Sequence, residues 1–332
     1  MPISELIRYR GWKVWFSYDM HITLLAIFYI LFVDNLFRLF DSLLLISSFG
    51  FYFMYGFLIN DFFDMPYDIA AGKERIVHKL PKSAFIGLIL SVILISILHL
   101  LYLKELYFTI IYVFSFILAT FYSAPPIRFK ARGVSGTIVN GLIEKALPVS
   151  SVFAFFHHFE MDMLIFVMSS FFIHISEIMM HQILDYDNDL MTGIRSFVTD
   201  IGRVRALKIF KRCLCPFTAI LMLSLCLLIC IKISYAIFIA ILVFAIYAII
   251  FLLIQKRVFV RQENIFPLYM SCLFFLICNA FPPFIAFLLC IKEYTNIILL
   301  LFSIFSQYYV VKYRFESIKG KIIPHIEIFS EK

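Results

Sequence analysis

Residues 43–59 read LLLISSFGFYFMYGFLI, an uncharged run that leads directly into NDFFDMPYD at residues 60–68. A helix that spans a bilayer needs about 20 mostly apolar residues, and this run is close to that length. Another run, AIFIAILVFAIYAIIFLLI at residues 236–254, lacks the alternation of polar and apolar residues that barrel strands show. Backbone groups in lipid must be hydrogen-bonded within helices or closed barrels, so both runs predict transmembrane helices.

The composition of the whole chain supports a membrane protein. Of its 332 residues, 63% are hydrophobic and 15% are charged, whereas soluble domains are about half apolar and a quarter charged. Apolar runs that fit membrane spans lie at 20–37, 43–60, 84–103, 106–123, 137–156, 162–182, 213–231, 233–254, 266–290 and 294–311. We therefore predict an all-α, polytopic transmembrane bundle of nine or ten helices.

Three regions follow from this pattern. Residues 1–19 carry basic residues together with Trp12 and Trp15, which is typical of an amphipathic segment at the lipid interface. Residues 20–311 form the predicted bundle, and residues 312–332 form a polar C-terminal tail.

The positive charges are sorted to one side of the predicted membrane. If the N-terminus is cytoplasmic, 24 of the Lys and Arg residues lie in cytoplasmic segments and four lie in the opposite loops. This asymmetry predicts a cytoplasmic N-terminus and tail. It also explains the net charge of +7 without nucleic acid, which we do not expect as a partner. The long loops all fall on the cytoplasmic side, whereas the opposite loops are short and plain.

The first long loop contains Asn60, Asp61, Asp64 and Asp68. The three aspartates are spaced i, i+3 and i+7, so on a helix they share one face. Two carboxylates about 6 Å apart repel by roughly 3 kcal/mol at an effective dielectric of 20, which favours a bound cation between them. The alternative is a solvated helix end, where acidic residues cost little.

A second acidic group contains Asp185, Asp187 and Asp189. Its spacing resembles a calcium loop, but Leu190 stands where the turn glycine is needed and Ser196 where the bidentate glutamate is needed. A helical pair of Asp185 and Asp189 fits better, and a solvated helix end is again the alternative. Two acidic groups at one face favour Mg²⁺, which binds through a few carboxylates and substrate phosphates.

The third loop, YSAPPIRFK at residues 122–130, follows the fourth span. Pro125 and Pro126 exclude a helix here and predict an extended turn that presents Tyr122, Arg128 and Lys130 to the same face. Basic residues around the acidic groups are candidates for binding phosphate oxygens: Lys73, Arg75, Arg128, Lys130, Arg195 and Arg203. The alternative for each is a charge that only sets topology.

Together the three loops resemble the UbiA-type intramembrane prenyltransferases. The motif N-D-x-x-D-x-x-x-D of that family matches residues 60–68, D-x-x-x-D matches Asp185 to Asp189, and Y-S-x-P-P-x-R-x-K matches residues 122–130. The resemblance implies a helical bundle around a central cavity. It also implies two Mg²⁺ ions and a prenyl diphosphate substrate, whose prenyl group passes to a small, commonly aromatic acceptor.

By position, the resemblance assigns the metal site and its catalytic carboxylates to Asp61, Asp64, Asp68, Asp185 and Asp189. It assigns the binding of diphosphate or acceptor to Asn60, Lys73, Tyr122, Arg128, Lys130 and Arg195.

Ionisable residues inside the predicted spans are further candidates. His174, Glu177 and His181 share one face of the sixth span, and Glu144 and Lys145 lie in the fifth. Histidine and glutamate on one face can bind a transition metal, but we favour a polar wall of the substrate cavity. Glu177 is then expected to act as a base or to contact the acceptor.

Three functions are therefore compared. Prenyl transfer comes first, and an intramembrane terpene cyclase would use the same diphosphate site without an acceptor. An ion-coupled transporter ranks third, because transporters place their coupling carboxylates near the midplane, whereas these aspartates lie at one membrane edge.

Overall fold

The computed structural model describes Tyr9, Gly72 and residues 19–70, 75–193, 195–234 and 276–308. Within these residues every regular element is a helix or a helical turn, and no strand occurs. The predicted all-α fold is confirmed.

The long elements follow one another with short connections. They are α1 (Met20–Val33), α2 (Leu39–Ala70), α3 (Lys82–Leu103), α4 (Leu106–Ser123), α5 (Val134–Phe155) and α6 (Met161–Leu184). Two short helices follow, α7 (Tyr186–Thr192) and α8 (Phe197–Ile201). The last described helices are α9 (Arg203–Lys232), α10 (Ile277–Lys292) and α11 (Tyr294–Tyr308).

Six of the described helices are long and apolar enough to cross a membrane: α2, α3, α4, α5, α6 and α9. Helices α1, α10 and α11 are shorter and apolar. Residues 235–254 of the predicted span 233–254 and residues 266–275 of the predicted span 266–290 lie outside the described residues, so the count of nine or ten helices stays a prediction. Most of the predicted interfacial segment and all of the tail 312–332 also lie outside them.

Helix α1 lies in the interior of the bundle. All twelve residues from Met20 to Leu31 are buried, and α1 packs against α5 and α10. Helix α2 packs between α3 and α4, and α6 packs against α5 and α9. By contrast, α3 exposes Leu90, Leu94 and Leu98, which fits a face in contact with lipid.

Two predicted boundaries were wrong. Helix α2 continues ten residues beyond the predicted end at residue 60 and contains the whole first acidic motif, including Pro66. Helix α9 begins at Arg203 instead of 213, and a π-helical turn joins its two parts at Phe210–Leu214. In both cases the helix extends beyond its apolar run on the side of the acidic motifs, because the backbone hydrogen bonds continue where the sequence is no longer apolar.

The ends of the helices define two faces of the bundle. The motif face contains the C-terminal part of α2, the α4–α5 connection and the α6–α7 connection. The opposite face contains the end of α1, the α5–α6 connection at residues 156–160 and the last residue of α9, Lys232.

Candidate active site

The first acidic motif forms one side of the site on the motif face. Asp61 is completely buried and accepts a hydrogen bond of 2.8 Å from the phenol of Tyr9. Asp68, two turns further along α2, forms an ion pair of 3.4 Å with Arg75. Because α2 remains helical here, the predicted common face of these aspartates is realised in the structure.

The YSAPPIRFK connection supplies cations to this motif. Pro125 and Pro126 form the predicted non-helical turn, which brings Arg128 to 3.0 Å from Asp64 and places the Lys130 ammonium on the same carboxylate oxygen. Lys130 also donates to the side-chain oxygen of Asn60 over 3.2 Å. Two predicted diphosphate contacts therefore converge on two residues of the first motif.

Partial burial affects the charges of this arrangement, because Lys130 and Asp64 are largely shielded from water. Burial lowers the pKa of Lys130 from its usual value, while the hydrogen bond and the charge of Asp64 oppose that change. The Arg128 guanidinium lies 4.4 Å from the centre of the Tyr67 ring, which adds a cation–π contact. Arg128 and Lys130 are thus both held beside the first acidic motif. If their charges only set the topology, such specific contacts would not be needed.

The second acidic motif lies where α6 ends and α7 begins. Asp185 ends α6, and its carbonyl accepts from the backbone N–H of Asp189 over 2.9 Å. The predicted helical relation of the two aspartates is therefore present, in the separate helix α7. Asp185 is exposed and Asp189 is half-buried, while Asp187 pairs with Arg203 over 3.4 Å.

Among the described residues, Arg195 pairs with Asp200 and not with an aspartate of either acidic motif. Its guanidinium is exposed and pairs with Asp200 over 2.9 Å, and this carboxylate raises the pKa of Arg195. A methyl group at Gly133 would overlap the Asp200 carboxylate, so Asp200 packs against the start of α5. This contact joins the second-motif region to the YSAPPIRFK connection. Lys73, the other predicted diphosphate contact near α2, lies outside the described residues.

The donor set of the two motifs fits Mg²⁺. All the candidate ligands are carboxylate oxygens, and hard oxygen donors are what Mg²⁺ prefers. Among the described residues, no three of the motif aspartates have carboxylate oxygens within 4.8 Å of one another. Instead, Asp64, Asp68 and Asp187 are neutralised by basic side chains. We attribute this to charge compensation, since clustered carboxylates attract the nearest cations.

A cavity of about 220 Å³ opens beside Asn60 and extends into the bundle. Asn60 and Tyr122 lie at its wall together with Tyr52, Phe53 and Phe57 of α2. Tyr52 is eight residues before Asn60 on the same helix, which corresponds to a depth of about 12 Å. The structure therefore has a cavity beside the first motif, as the resemblance implied, and one part of its wall is aromatic.

Three polar side chains also line the cavity, and we call them its polar wall. They are Asp19, Asn140 and Glu144, and the Nδ2 of Asn140 donates to Glu144 over 3.2 Å. The Asn140 oxygen lies 2.7 Å from Nε2 of His174. Asp19 forms a buried ion pair of 3.0 Å with Lys145, which follows Glu144 in a π-helical turn of α5.

The predicted polar face of α6 is realised in part. His174 lies 3.5 Å from Glu177 and 3.4 Å from Glu144, so it joins the polar wall. His181 is exposed one turn further along α6. Within the part of the chain that the structure describes, His174, Glu177 and His181 do not form a metal-binding group of three. Glu144, which the sequence marked only as an intramembrane carboxylate, lines the cavity. Glu177 does not line it but contacts His174, which in turn contacts Glu144.

The sequence analysis did not identify Tyr9, Asp19, Tyr52 or Asn140 as site residues. Tyr9, Asp19 and Asn140 reach the site by contacts between distant segments, as the 52 residues between Tyr9 and Asp61 show, whereas Tyr52 lies on the same helix as the first motif. An unexplained polar residue in an apolar span was the one signal for Asn140.

Comparison with known proteins identifies the family. The model of the UbiA prenyltransferase family matches residues 21–276. A UbiA homologue from Archaeoglobus fulgidus, bound to GPP and Mg²⁺, is 19% identical with a TM-score of 0.55, covering 84% of this chain and 99% of its own. The same homologue bound to DMAPP and Mg²⁺ is 20% identical with a TM-score of 0.55, over 83% and 98% of the two chains.

A digeranylgeranylglyceryl phosphate synthase structure is 18% identical with a TM-score of 0.50, covering 92% of this chain and 99% of that one. At these identities the structures show a shared fold. A search of curated proteins gave no significant match. The long apolar helices and the family match together make this chain a multi-pass integral membrane protein. It belongs to the UbiA prenyltransferase family.

Proposed function

We propose that this protein is a Mg²⁺-dependent enzyme that transfers a prenyl group from an isoprenoid diphosphate to a small, aromatic acceptor within the membrane. The observation that carries the proposal is that Arg128 and Lys130 converge on Asp64, while Lys130 also binds Asn60, a residue that lines the cavity. The site has a charged part at the acidic motif and an apolar part in the cavity, which match a substrate with a charged head and a hydrocarbon tail. The relatives bound to GPP or DMAPP with Mg²⁺ support the same substrate class.

The diphosphate binds on the motif face in this proposal. Asp61, Asp64, Asp68, Asp185 and Asp189 would hold two Mg²⁺ ions, which would stabilise the negative charge of the departing diphosphate. Lys130 has three N–H donors and Arg128 has five, more than Asp64 and Asn60 require. Their remaining donors can bind phosphate oxygens beside the first motif, where they stabilise charge that develops as the allylic C–O bond breaks.

The prenyl chain occupies the cavity. Tyr52, Phe53, Phe57 and Tyr122 line it and exclude water from the allylic cation. The faces of aromatic rings attract cations, so these residues also stabilise that cation electrostatically. Exclusion of water favours transfer to an acceptor over hydrolysis.

The polar wall favours an acceptor over cyclisation. Asn140 and Glu144 offer hydrogen-bonding groups at the cavity, and His174 contacts both of them, whereas a cation that cyclises on itself needs no such partner. Glu144 and, through His174, Glu177 are positioned to accept a proton that a substituted aromatic ring loses. We propose that the acceptor lies against this wall.

The placement of the site in the membrane is also proposed. The excess of Lys and Arg on the motif face favours a cytoplasmic site, with residues 1–19 at the interface and residues 312–332 as a cytoplasmic tail. Diphosphate substrates would then reach the motifs from the cytoplasm.

The proposal is tested with purified protein in nanodiscs, Mg²⁺ and allylic diphosphates of several chain lengths, with and without aromatic acceptors. Mass spectrometry should detect an acceptor enlarged by the prenyl unit, and chelation of Mg²⁺ should abolish it. A cyclised hydrocarbon formed without acceptor would establish the cyclase instead. Transport of an ion without any loss of diphosphate would overturn both enzymatic functions.

A further inference from the structure

A histidine and two carboxylates meet on the opposite face, far from the candidate active site. Among the described residues, His158, Glu160 and Asp162 form the one group of three side chains able to hold a metal ion, and their ligand atoms lie within 4.8 Å of one another. Asp162 and Asp185 lie at the two ends of α6, and 23 residues of helix correspond to about 35 Å. We refer to His158, Glu160 and Asp162 as the His158 cluster.

The local backbone fixes the cluster. Helix α5 ends at Phe155, and His157 adopts a left-handed conformation with a φ of 55° that turns the chain toward α6. The backbone N–H of His158 then bonds to the carbonyl of Phe153 over 3.0 Å. Glu160 is the N-cap residue of α6, and Asp162 lies in its first turn.

The orientation of His158 is set by Asp34 at the end of α1. Nδ1 of His158 lies 3.0 Å and 3.1 Å from the two carboxylate oxygens of Asp34. An ionised carboxylate can only accept hydrogen bonds, so Nδ1 carries the hydrogen and donates it to this contact. A histidine that binds a metal through one nitrogen almost always donates its other N–H to such a partner. In the neutral ring, this hydrogen bond leaves the lone pair on Nε2.

Nε2 of His158 is buried and has no hydrogen-bond partner, although the side chain is only 3% exposed. It lies 3.5 Å from the Asp162 carboxylate, which is too long for a good hydrogen bond. Two ligands of one tetrahedral zinc ion at 2.0–2.2 Å are separated by about 3.3–3.6 Å, so this spacing equals that of neighbouring metal ligands. The Asp162 carboxylate also accepts a hydrogen bond from the phenol of Tyr29, which orients it.

The charges of this region favour a divalent cation. Asp34, Glu160 and Asp162 supply three carboxylates, and in the described part of the chain the permanent cation that pairs with Glu160 and Asp162 is Lys232 at the end of α9. The Lys232 ammonium lies 3.9 Å from both Glu160 and Asp162, which is outside hydrogen-bond range, and 40% of its side chain is exposed. Lys232 can therefore turn outward without losing a close contact.

We propose that His158, Glu160 and Asp162 bind one divalent transition-metal ion of the zinc class on the opposite face, with Asp34 orienting the imidazole. An imidazole with two carboxylates suits Zn²⁺ better than Mg²⁺, which favours oxygen donors alone. The ion joins the end of α1, through Asp34, to the α5–α6 connection. Its role is to stabilise this end of the bundle, independently of prenyl transfer.

The test measures Zn²⁺ binding to chelator-stripped protein in nanodiscs, with excess Mg²⁺ present to occupy the acidic motifs. Equilibrium dialysis should retain one Zn²⁺ per chain, and X-ray absorption should show one imidazole nitrogen together with oxygen ligands. Glu160→Gln removes a ligand whose side chain is 64% exposed, so the fold should persist. We expect at least tenfold weaker Zn²⁺ binding in this variant.

Asp34→Asn should weaken Zn²⁺ binding about 10–100-fold, as changes of such outer partners generally do. Lys232→Ala should strengthen binding, because it removes a competing positive charge. The matched control is His157→Gln, since His157 is the neighbouring histidine, is exposed and pairs with Glu105 over 2.7 Å. Its Zn²⁺ affinity should equal that of the wild type.

Two results would overturn the proposal. One is a wild-type protein that retains no Zn²⁺ under these conditions, which would make His158 the centre of a network of ion pairs. The other is Zn²⁺ binding that Glu160→Gln and Asp34→Asn leave unchanged, which would place the ion elsewhere.

Discussion

The phenol oxygen of Tyr9 lies 2.8 Å from Oδ2 of Asp61, although 52 residues separate them in the chain. Asp61 is the first carboxylate of the NDFFDMPYD motif and is completely buried. Hydrogen bonds to a charged group contribute about 1.5–3 kcal/mol, so this contact fixes the orientation of the carboxylate. A carboxylate has two oxygens, and one can accept from Tyr9 while the other binds a cation.

Tyr9→Phe should therefore raise the Mg²⁺ concentration needed for half-maximal activity by about tenfold or more, as loss of an orienting partner does in other metal sites. Activity at saturating Mg²⁺ should change less. Steady-state rates over a Mg²⁺ titration measure both quantities.

The control for this prediction is Tyr67→Phe, which removes a phenol beside the same motif but keeps the ring under Arg128. Its Mg²⁺ requirement should stay within twofold of the wild type. A lower Mg²⁺ requirement in Tyr9→Phe would contradict the orienting role and indicate that Tyr9 competes with the metal.

The sequence predicted the parts of this site that depend on local spacing. The separation of Asp61, Asp64 and Asp68 specified a shared helical face, and the adjacent prolines specified a turn before Arg128. It did not predict that α2 would continue to Ala70, because the apolar run ends at residue 59 while no residue there stops the helix. Hydropathy reports where lipid ends, not where the helix ends.

Contacts between distant segments were beyond the sequence for a different reason. Arg195 was expected at the diphosphate, but a carboxylate five residues away binds it. The sequence showed no sign of a site in the opposite loops, because Asp34, His158 and Asp162 are separated by up to 128 positions and form no local motif. Only the packing of α1 against α5 and α6 brings them together.

The cations of the YSAPPIRFK connection give a second prediction. Lys130→Ala should reduce turnover about 10²-fold or more, because it removes a donor aimed at charge that develops in the transition state. Turnover and the KM for the diphosphate are measured with a fixed allylic substrate and saturating Mg²⁺.

Arg132→Ala is the matched control, since Arg132 lies in the same connection but donates to the backbone carbonyls of Ile127 and Pro126. Its turnover should fall less than threefold. Equal losses in the two variants would show that these cations serve topology alone.

The polar wall of the cavity gives a third prediction. Glu144→Gln should lower kcat/KM for the acceptor at least tenfold while the KM for the diphosphate changes less than twofold, because Glu144 lines the cavity away from the acidic motifs. Glu177→Gln should have a smaller effect, since Glu177 acts through His174. A reversed order of the two effects would identify Glu177 as the acceptor contact.

The buried ion pair of Lys145 and Asp19 gives a fourth prediction, on stability. The two side chains are 4% and 10% exposed and lie 3.0 Å apart. Removing one partner of a buried pair generally costs about 3–5 kcal/mol, because the other charge is left uncompensated. Lys145→Met should therefore lower the thermal unfolding midpoint strongly.

The double variant Lys145→Met, Asp19→Asn decides the cause, because it removes both charges while keeping side chains of similar size. It should be clearly more stable than Lys145→Met alone, as a neutral amide in place of the Asp19 carboxylate does not need a counter-charge. The midpoints are measured in nanodiscs by the heat-induced loss of monodisperse protein. If the double variant is no more stable than Lys145→Met, the loss comes from the packing of the lysine chain, and the pairing with Asp19 contributes little.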